Sequence, residues 1–375
     1  MADTVGMTRF DAAIWDGALA GDLTSLSAVV DGARGRPQEH IVFETVIVED
    51  LNPIEALRPA ALPGTATETD VRTAGAVTVL RVEHDHGPFT VSAWPTAYAG
   101  VFHLVGGVPA ADRRWNKVER WISNAAPRTV RCFLDHDDFI DIGTALSEHA
   151  EVEVQRLTGR MRSGHSSYGR SFPALAGNDL RPDHHEIVGE AERHGAAVRT
   201  MHLHVGSVVD VAIRRQAGAT FVHGDFEVFE SSVLNRLALA AHNRRELMSN
   251  RQRVVNETPK RPIQIKLALP VFVDARATGE VLAELDRAAN HVSYAVMHRN
   301  PYLHVALTDD TDGSNYDLFI TRPDTIELHP GFRASLGSLT RLSQQLGDRF
   351  EAVALGEDPE QRPVSFYDLI DSFAD

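Results

Sequence analysis

Four short strings occur twice in this chain, about a hundred residues apart and in the same order. HLHV at 202–205 returns as YLHV at 302–305, and VVDVAI at 208–213 returns as NYDLFI at 315–320. FVHGDF at 221–226 returns as ELHPGF at 327–332, and SSVLNRL at 231–237 returns as GSLTRL at 337–342. Self-similarity at a fixed offset marks a repeated structural unit, and it restricts the fold more than composition does.

The second copy reads as one strand (262–273), one helix (278–291), four short β-rich runs and a closing amphipathic helix (332–350). Its helix has apolar residues at Val281, Leu282, Leu285 and Ala289, the spacing of one helical face. Turn chemistry separates its strands: Arg299-Asn300-Pro301, the run 309–315 and Arg322-Pro323-Asp324. Residues 128–250 read in the same order, with TVRCFL as the first strand and an insertion over about 157–197. A fainter copy occupies 40–125, where VFHLVGG takes the place of FVHGDF and ELHPGF.

The expected fold is therefore α+β: three tandem β-α-β-β-β-β-α pseudo-repeats, antiparallel sheets with helices on one face. The expected boundaries are an N-terminal helical arm (1–39), repeat 1 (40–126), repeat 2 (127–256), repeat 3 (257–350) and an acidic amphipathic tail (351–375). This order of elements resembles the repeats of TATA-binding-protein-like folds. The resemblance lies in topology alone and carries no function. Antiparallel sheet clamps are an alternative layout.

The chain is long enough, at 375 residues, to bury cores without disulfides or metal staples. Its single cysteine, Cys132, lies in an apolar run and fits a reducing, cytoplasmic setting. No secretory pattern and no apolar run of membrane-spanning length is read. A net charge of −15 argues against indiscriminate binding to nucleic acid or membranes. Lysine is scarce, with Lys117, Lys260 and Lys266 the only three, so the basic residues are almost all arginine. That bias suggests a GC-rich bacterial genome.

His103, His223 and His329 fall at one equivalent position of the repeats, and His204 matches His304. Asp225 is not repeated, since Gly331 takes its place. A recurring lone histidine suits a scaffold role at the strand end better than a metal site, which needs three or four ligands. The alternative is a site in repeat 2 alone, with His202, His204, His223 and Asp225 holding a metal for phosphoester hydrolysis. The acid clusters have structural readings too: DHDD (135–138) caps a helix, Asp183 caps another, and Asp312-Gly313 makes a hairpin turn. Phosphate-loop, dinucleotide-binding, zinc-protease, serine-hydrolase and CxxC motifs are not found. No cofactor is expected.

Three stretches depart from the repeat. The inserted loop carries Arg156, Arg160, Arg162 and Arg170 without an acid, with Tyr168 and Phe172 as stacking candidates. The stretch 242–266 carries Arg244, Arg245, Arg251 and Arg253 among seven basic and two acidic residues. Both are candidate contacts for nucleic acid or phosphate. In the tail, Phe366, Leu369, Ile370 and Phe373 fall on one helical face and form a candidate partner-binding surface. The expectation is a non-catalytic binding or scaffold subunit of a bacterial multi-protein assembly, one handling nucleic acid in defence or regulation, with a protein partner or self-association. The metal-dependent hydrolase and a direct nucleic-acid binder are the alternatives.

Overall fold

The structure is a computed structural model and describes residues 7–33, 39–49, 52–60, 62, 67–84, 87–109, 114–161, 167–172, 182–258, 260–287, 291–299 and 302–357. In chain order the elements begin with α1 (Arg9–Ala20), α2 (Leu26–Ala33), β1 (Glu39–Val48), α3 (Pro53–Leu57), β2 (Thr67–Ala74), β3 (Val77–Glu83), β4 (Phe89–Pro95), β5 (Val101–Pro109) and α4 (Trp115–Ala125). Then come β6 (Thr129–Val130), α5 (His136–Ser147), β7 (Val152–Met161), β8 (Ser167–Ser171), α6 (His184–Arg193), β9 (Ala196–Val205), β10 (Val209–Arg214) and β11 (Gly218–Gly224). A long helix follows as α7 (Phe226–Phe229), a π-helical turn (Glu230–Leu234) and α8 (Asn235–Met248). The last elements are β12 (Ile263–Leu267), α9 (Ala275–Arg287), β13 (Val292–His298), β14 (Leu303–Asp309), β15 (Asn315–Arg322), β16 (Thr325–Pro330), α10 (Leu336–Phe350) and β17 (Ala352–Gly356).

The chain divides into a larger unit (1–159, 167–190 and 198–244) and a smaller one (160–166, 191–197 and 245–375). One sheet runs in the order β2-β3-β4-β5-β1-β11-β10-β9-β7-β8, with β6 also on β1; the other runs β13-β14-β15-β16-β12-β17. The strand pairs whose registers are resolved, such as β1 with β5 and β12 with β16, are antiparallel. The fold class is thus mixed α+β with antiparallel sheets, as the sequence predicts. Among the described residues no helix is long and apolar enough to cross a membrane.

In the larger unit β1 is the central strand because it is apolar on both faces. Val42, Val46 and Val48 join one core with Leu80, Phe89, Val91, Trp115 and Trp121. From the opposite face Phe43 packs on Phe226 and Phe229, with ring centroids 6.2 and 5.2 Å apart. Val101–Pro109 contains a Gly-Gly pair that lets α1 and α4 approach. A Cβ on Gly107 would sit 2.1 Å from the Thr8 hydroxyl, and one on Gly106 would sit 2.5 Å from the Trp115 ring. Thr8 itself caps α1 by accepting from the Asp11 amide at 3.0 Å.

The N-terminal arm is two helices, because Gly21 ends α1 in the left-handed region at φ 73°. TVRCFL, expected as a full strand, forms a two-residue strand only, which pairs with β1. Residues 352–356, which the sequence reading assigns to the tail, form a strand against β12. The larger unit contains the order β2-β3-β4-β5-β1 and the smaller one β13-β14-β15-β16-β12. In each, the first strand in sequence closes onto the last strand of a four-stranded meander. The middle segment departs from that order through β6 and through the inserted β8 and α6.

Candidate functional site

Strand alternation builds the first candidate. On β9, Met201, Leu203 and Val205 are buried while His202 and His204 face the other way, half-buried. Asp210 stands opposite His204 in the β9–β10 register and opposite His223 in the β10–β11 register. Its carboxylate takes both neighbours: Oδ1 contacts His204 Nδ1, and Oδ2 lies 2.7 Å from His223 Nε2. His202 is held below the usual imidazole range by burial and by the charges of Arg156 and Arg214. His40 is lowered by burial and by His223.

The two other residues of the His223-Gly-Asp225 corner are scaffold. Gly224 has φ 117°, and a Cβ there would meet the Val208 carbonyl oxygen at 2.2 Å. Asp225 caps the following helix, accepting from the Glu227 amide at 2.9 Å and the Val228 amide at 3.3 Å. Its carboxylate therefore serves the helix and does not complete a ligand set with His202, His204 and His223. Among the described residues no three His, Cys, Asp or Glu side chains are placed to hold a metal ion.

The smaller unit carries the matching pair. His304 Nε2 is 2.9 Å from Asp317 Oδ1, and Arg253 lies 3.4 Å from the other carboxylate oxygen. His304 stacks on Phe319 at 4.2 Å, and His329 meets the same ring edge-on at 4.9 Å. Asp317 stands opposite His329 in register, as Asp210 stands opposite His223. Sequence reasoning missed these aspartates because it compared Asp225 with Gly331. The signal was present, as the shared third residue of VVDVAI and NYDLFI. His103 differs: it is buried, shares a hydrogen bond with the Thr45 hydroxyl at 3.1 Å, and is pushed down to about 4 by burial.

A carboxylate on one imidazole nitrogen fixes the tautomer and presents the other nitrogen outward. Such a pair can serve as a base or as a cross-strand polar contact.

Among the described residues, most arginines of the two stretches are paired with acids. Arg160 pairs with Glu351 at 3.2 Å and Arg170 with Glu190, while Arg156 is exposed on β7. Arg162 and the tail residues Phe366, Leu369, Ile370 and Phe373 lie outside the described residues. Arg244, expected at a phosphate, is instead buried, with its guanidinium on Asp135 and, at 3.0 Å, on Asp138. Arg251 is likewise buried, donating to the Arg261 carbonyl at 3.2 Å and pairing with Glu357. Arg245 pairs with Glu246 at 3.2 Å. Tyr168, a stacking candidate, is buried, and Phe172 is partly so. The Cys132 thiol is buried and pushed up to about 12, which makes it a core residue and not a nucleophile.

The hydrophobic surface is more informative. Nine large apolar side chains are exposed among the described residues, and all but Leu19 belong to the smaller unit. Val254, Val255 and Phe332 are 48%, 70% and 66% exposed. The Arg253 amide donates to the Gly331 carbonyl at 2.7 Å, which brings those three residues into one neighbourhood. No known protein-family model matches this chain, and no curated protein matches it in sequence.

Proposed function

We propose that the chain is a non-catalytic binding subunit. In this reading it is built from three copies of one strand–helix–four-strand–helix unit laid out like TATA-binding-protein-like repeats. It docks a protein partner in a bacterial cytoplasmic assembly that handles nucleic acid. The observation that carries the reading is the apolar patch of Val254, Val255 and Phe332 on the smaller unit. Exposed apolar side chains brought near one another can mark an interaction site. The two aspartates support common descent of the repeats, because they match in sequence and each stands opposite the histidine of the next strand, Asp210 opposite His223 and Asp317 opposite His329. The partner supplies most of any nucleic-acid contact, since Arg244 and Arg251 are committed internally. Arg156, exposed on β7 beside the inserted loop, is the residue of this chain that reaches phosphate.

The test is recovery of the partner from the cell of origin. Val255→Asp with Phe332→Asp is expected to lose it while leaving the circular dichroism spectrum unchanged. Deleting 366–375, or neutralising Arg160, Arg162 and Arg170, is expected to weaken recovery. Full recovery with the double aspartate variant contradicts the reading.

A further inference from the structure

The two sheets end differently. At one end of the larger sheet β2 carries Glu68, Asp70 and Arg72, and Arg58 pairs with Glu68 at 2.9 Å. At the other end β8 carries Arg170, paired with Glu190. Charged edges of this kind keep strands from pairing with other chains. In the smaller sheet β17 is short and mostly buried. The remaining edge, β13, has no charged residue from Val292 to Met297, and from Ala295 to His298 every residue is exposed. Val296 is 41% and Met297 62% exposed, and Tyr302, just before the adjoining β14, is 40% exposed.

Charge flanks this edge asymmetrically. Beside its first residues lie acids: the Ser293 hydroxyl donates to Asp310 at 2.8 Å, the Tyr294 hydroxyl donates to Asp286 at 2.6 Å, and the Asp310 amide donates to the His291 carbonyl at 2.8 Å. At its far end stand His298 and Arg299, both exposed. We infer that β13 pairs antiparallel with β13 of a second copy, about a two-fold axis at Ala295. This inference rests on the proposed role as a binding subunit and names one of its partners as the chain itself. In that register Arg299 comes opposite His291 and beside Asp310 of the other copy. Tyr294 comes opposite Val296, an aromatic against a β-branched residue. Parallel pairing sets acid against acid and Arg299 against Arg299. The bulge between Val296 and His298 limits the pairing run, and a two-fold pair leaves no further edge to extend. One short strand pair buries less than the roughly 1,200–2,000 Å² of a stable interface, so the dimer is concentration-dependent.

The experiment is sedimentation velocity on the full chain from sub-micromolar to several hundred micromolar protein. The expected result is a shift from monomer to dimer across that range. Val296→Lys is expected to abolish the shift with its thermal melt unchanged, because that side chain is already partly exposed. Arg299→Glu is expected to weaken the dimer, and adding Asp310→Arg is expected to restore it. Ala295→Cys is expected to give a disulfide-linked dimer under mild oxidation, since the native Cys132 is buried. A chain that stays monomeric throughout overturns the inference, as does a dimer indifferent to Val296→Lys and not trapped by Ala295→Cys. If the monomeric chain still recovers a partner that Val255→Asp with Phe332→Asp removes, the binding role stands and only self-pairing fails.

Discussion

Asp11 gives the sharpest stability prediction. It sits on α1, fully buried, and accepts from the Thr90 hydroxyl at 2.8 Å and the Gly107 amide at 2.9 Å, both through Oδ1. Its Oδ2 is buried without a hydrogen-bond partner among the described residues. Burial outweighs these hydrogen bonds and pushes the carboxyl up from 3.8 to about 6. A pKa raised on folding means that the folded state favours the protonated acid. The stability it contributes is fully present below 3.8 and is lost as pH rises through about 6. At about 1.4 kcal/mol per pKa unit, the loss across the whole window is roughly 3 kcal/mol. Between about pH 4.5 and 7.5 it is roughly 2 kcal/mol.

Asp11→Asn keeps an oxygen for Thr90 and Gly107 and removes the titration. Relative to the wild type, the variant should therefore gain roughly 2 kcal/mol between those two pH values. Urea titrations followed by tryptophan fluorescence read this directly. All four tryptophans, Trp15, Trp94, Trp115 and Trp121, are buried in the larger unit, so the signal reports the unit that contains Asp11. A constant difference between wild type and variant across that pH range would mean that Asp11 is not protonated on folding, as would a variant that loses ground at the higher pH.

Three further outcomes follow from the packing. Gly107→Ala should release α1 from the sheet, because its methyl overlaps the Thr8 hydroxyl; limited proteolysis should then cut within 9–20 before the rest of the larger unit. Arg244→Met should destabilise the larger unit by about 3–5 kcal/mol in urea titration, because it leaves Asp135 and Asp138 facing each other without their cation. His204→Ala should lower stability by no more than about 1 kcal/mol, the range of a cross-strand pair, and leave partner recovery intact; loss of a phosphoesterase activity in that variant would instead support the hydrolase alternative.

Local signals were legible where they act over a few residues. Asp135 and Asp138 form a reciprocal capping box at α5, and Asp183 accepts from the Glu186 amide at 2.7 Å at the start of α6. Gly313, at φ 75°, sits in the turn between β14 and β15, as Asp312-Gly313 suggests. Long-range partnerships were less legible. Arg244 lies more than a hundred positions from Asp135, so a run of arginines looks like a phosphate patch until the fold folds it inward. TVRCFL has strand composition, yet Leu134 leaves the ladder and donates to the Arg215 carbonyl. EAVALG is too short to stand out from the acidic residues that follow, and it becomes a strand only because β12 offers an edge. Asp210 was readable in the repeat, but its partner histidines lie on two different neighbouring strands, and register alone unites them.

A chain that works by binding a partner leaves its cell in a complex. The most direct test is native mass spectrometry of the full-length protein isolated under gentle conditions from its cell of origin. The expected result is a stoichiometric complex that contains a protein partner and dissociates when Val255 and Phe332 are replaced by aspartate. A lone chain carrying one tightly held transition-metal ion, lost on His204→Ala, would contradict it.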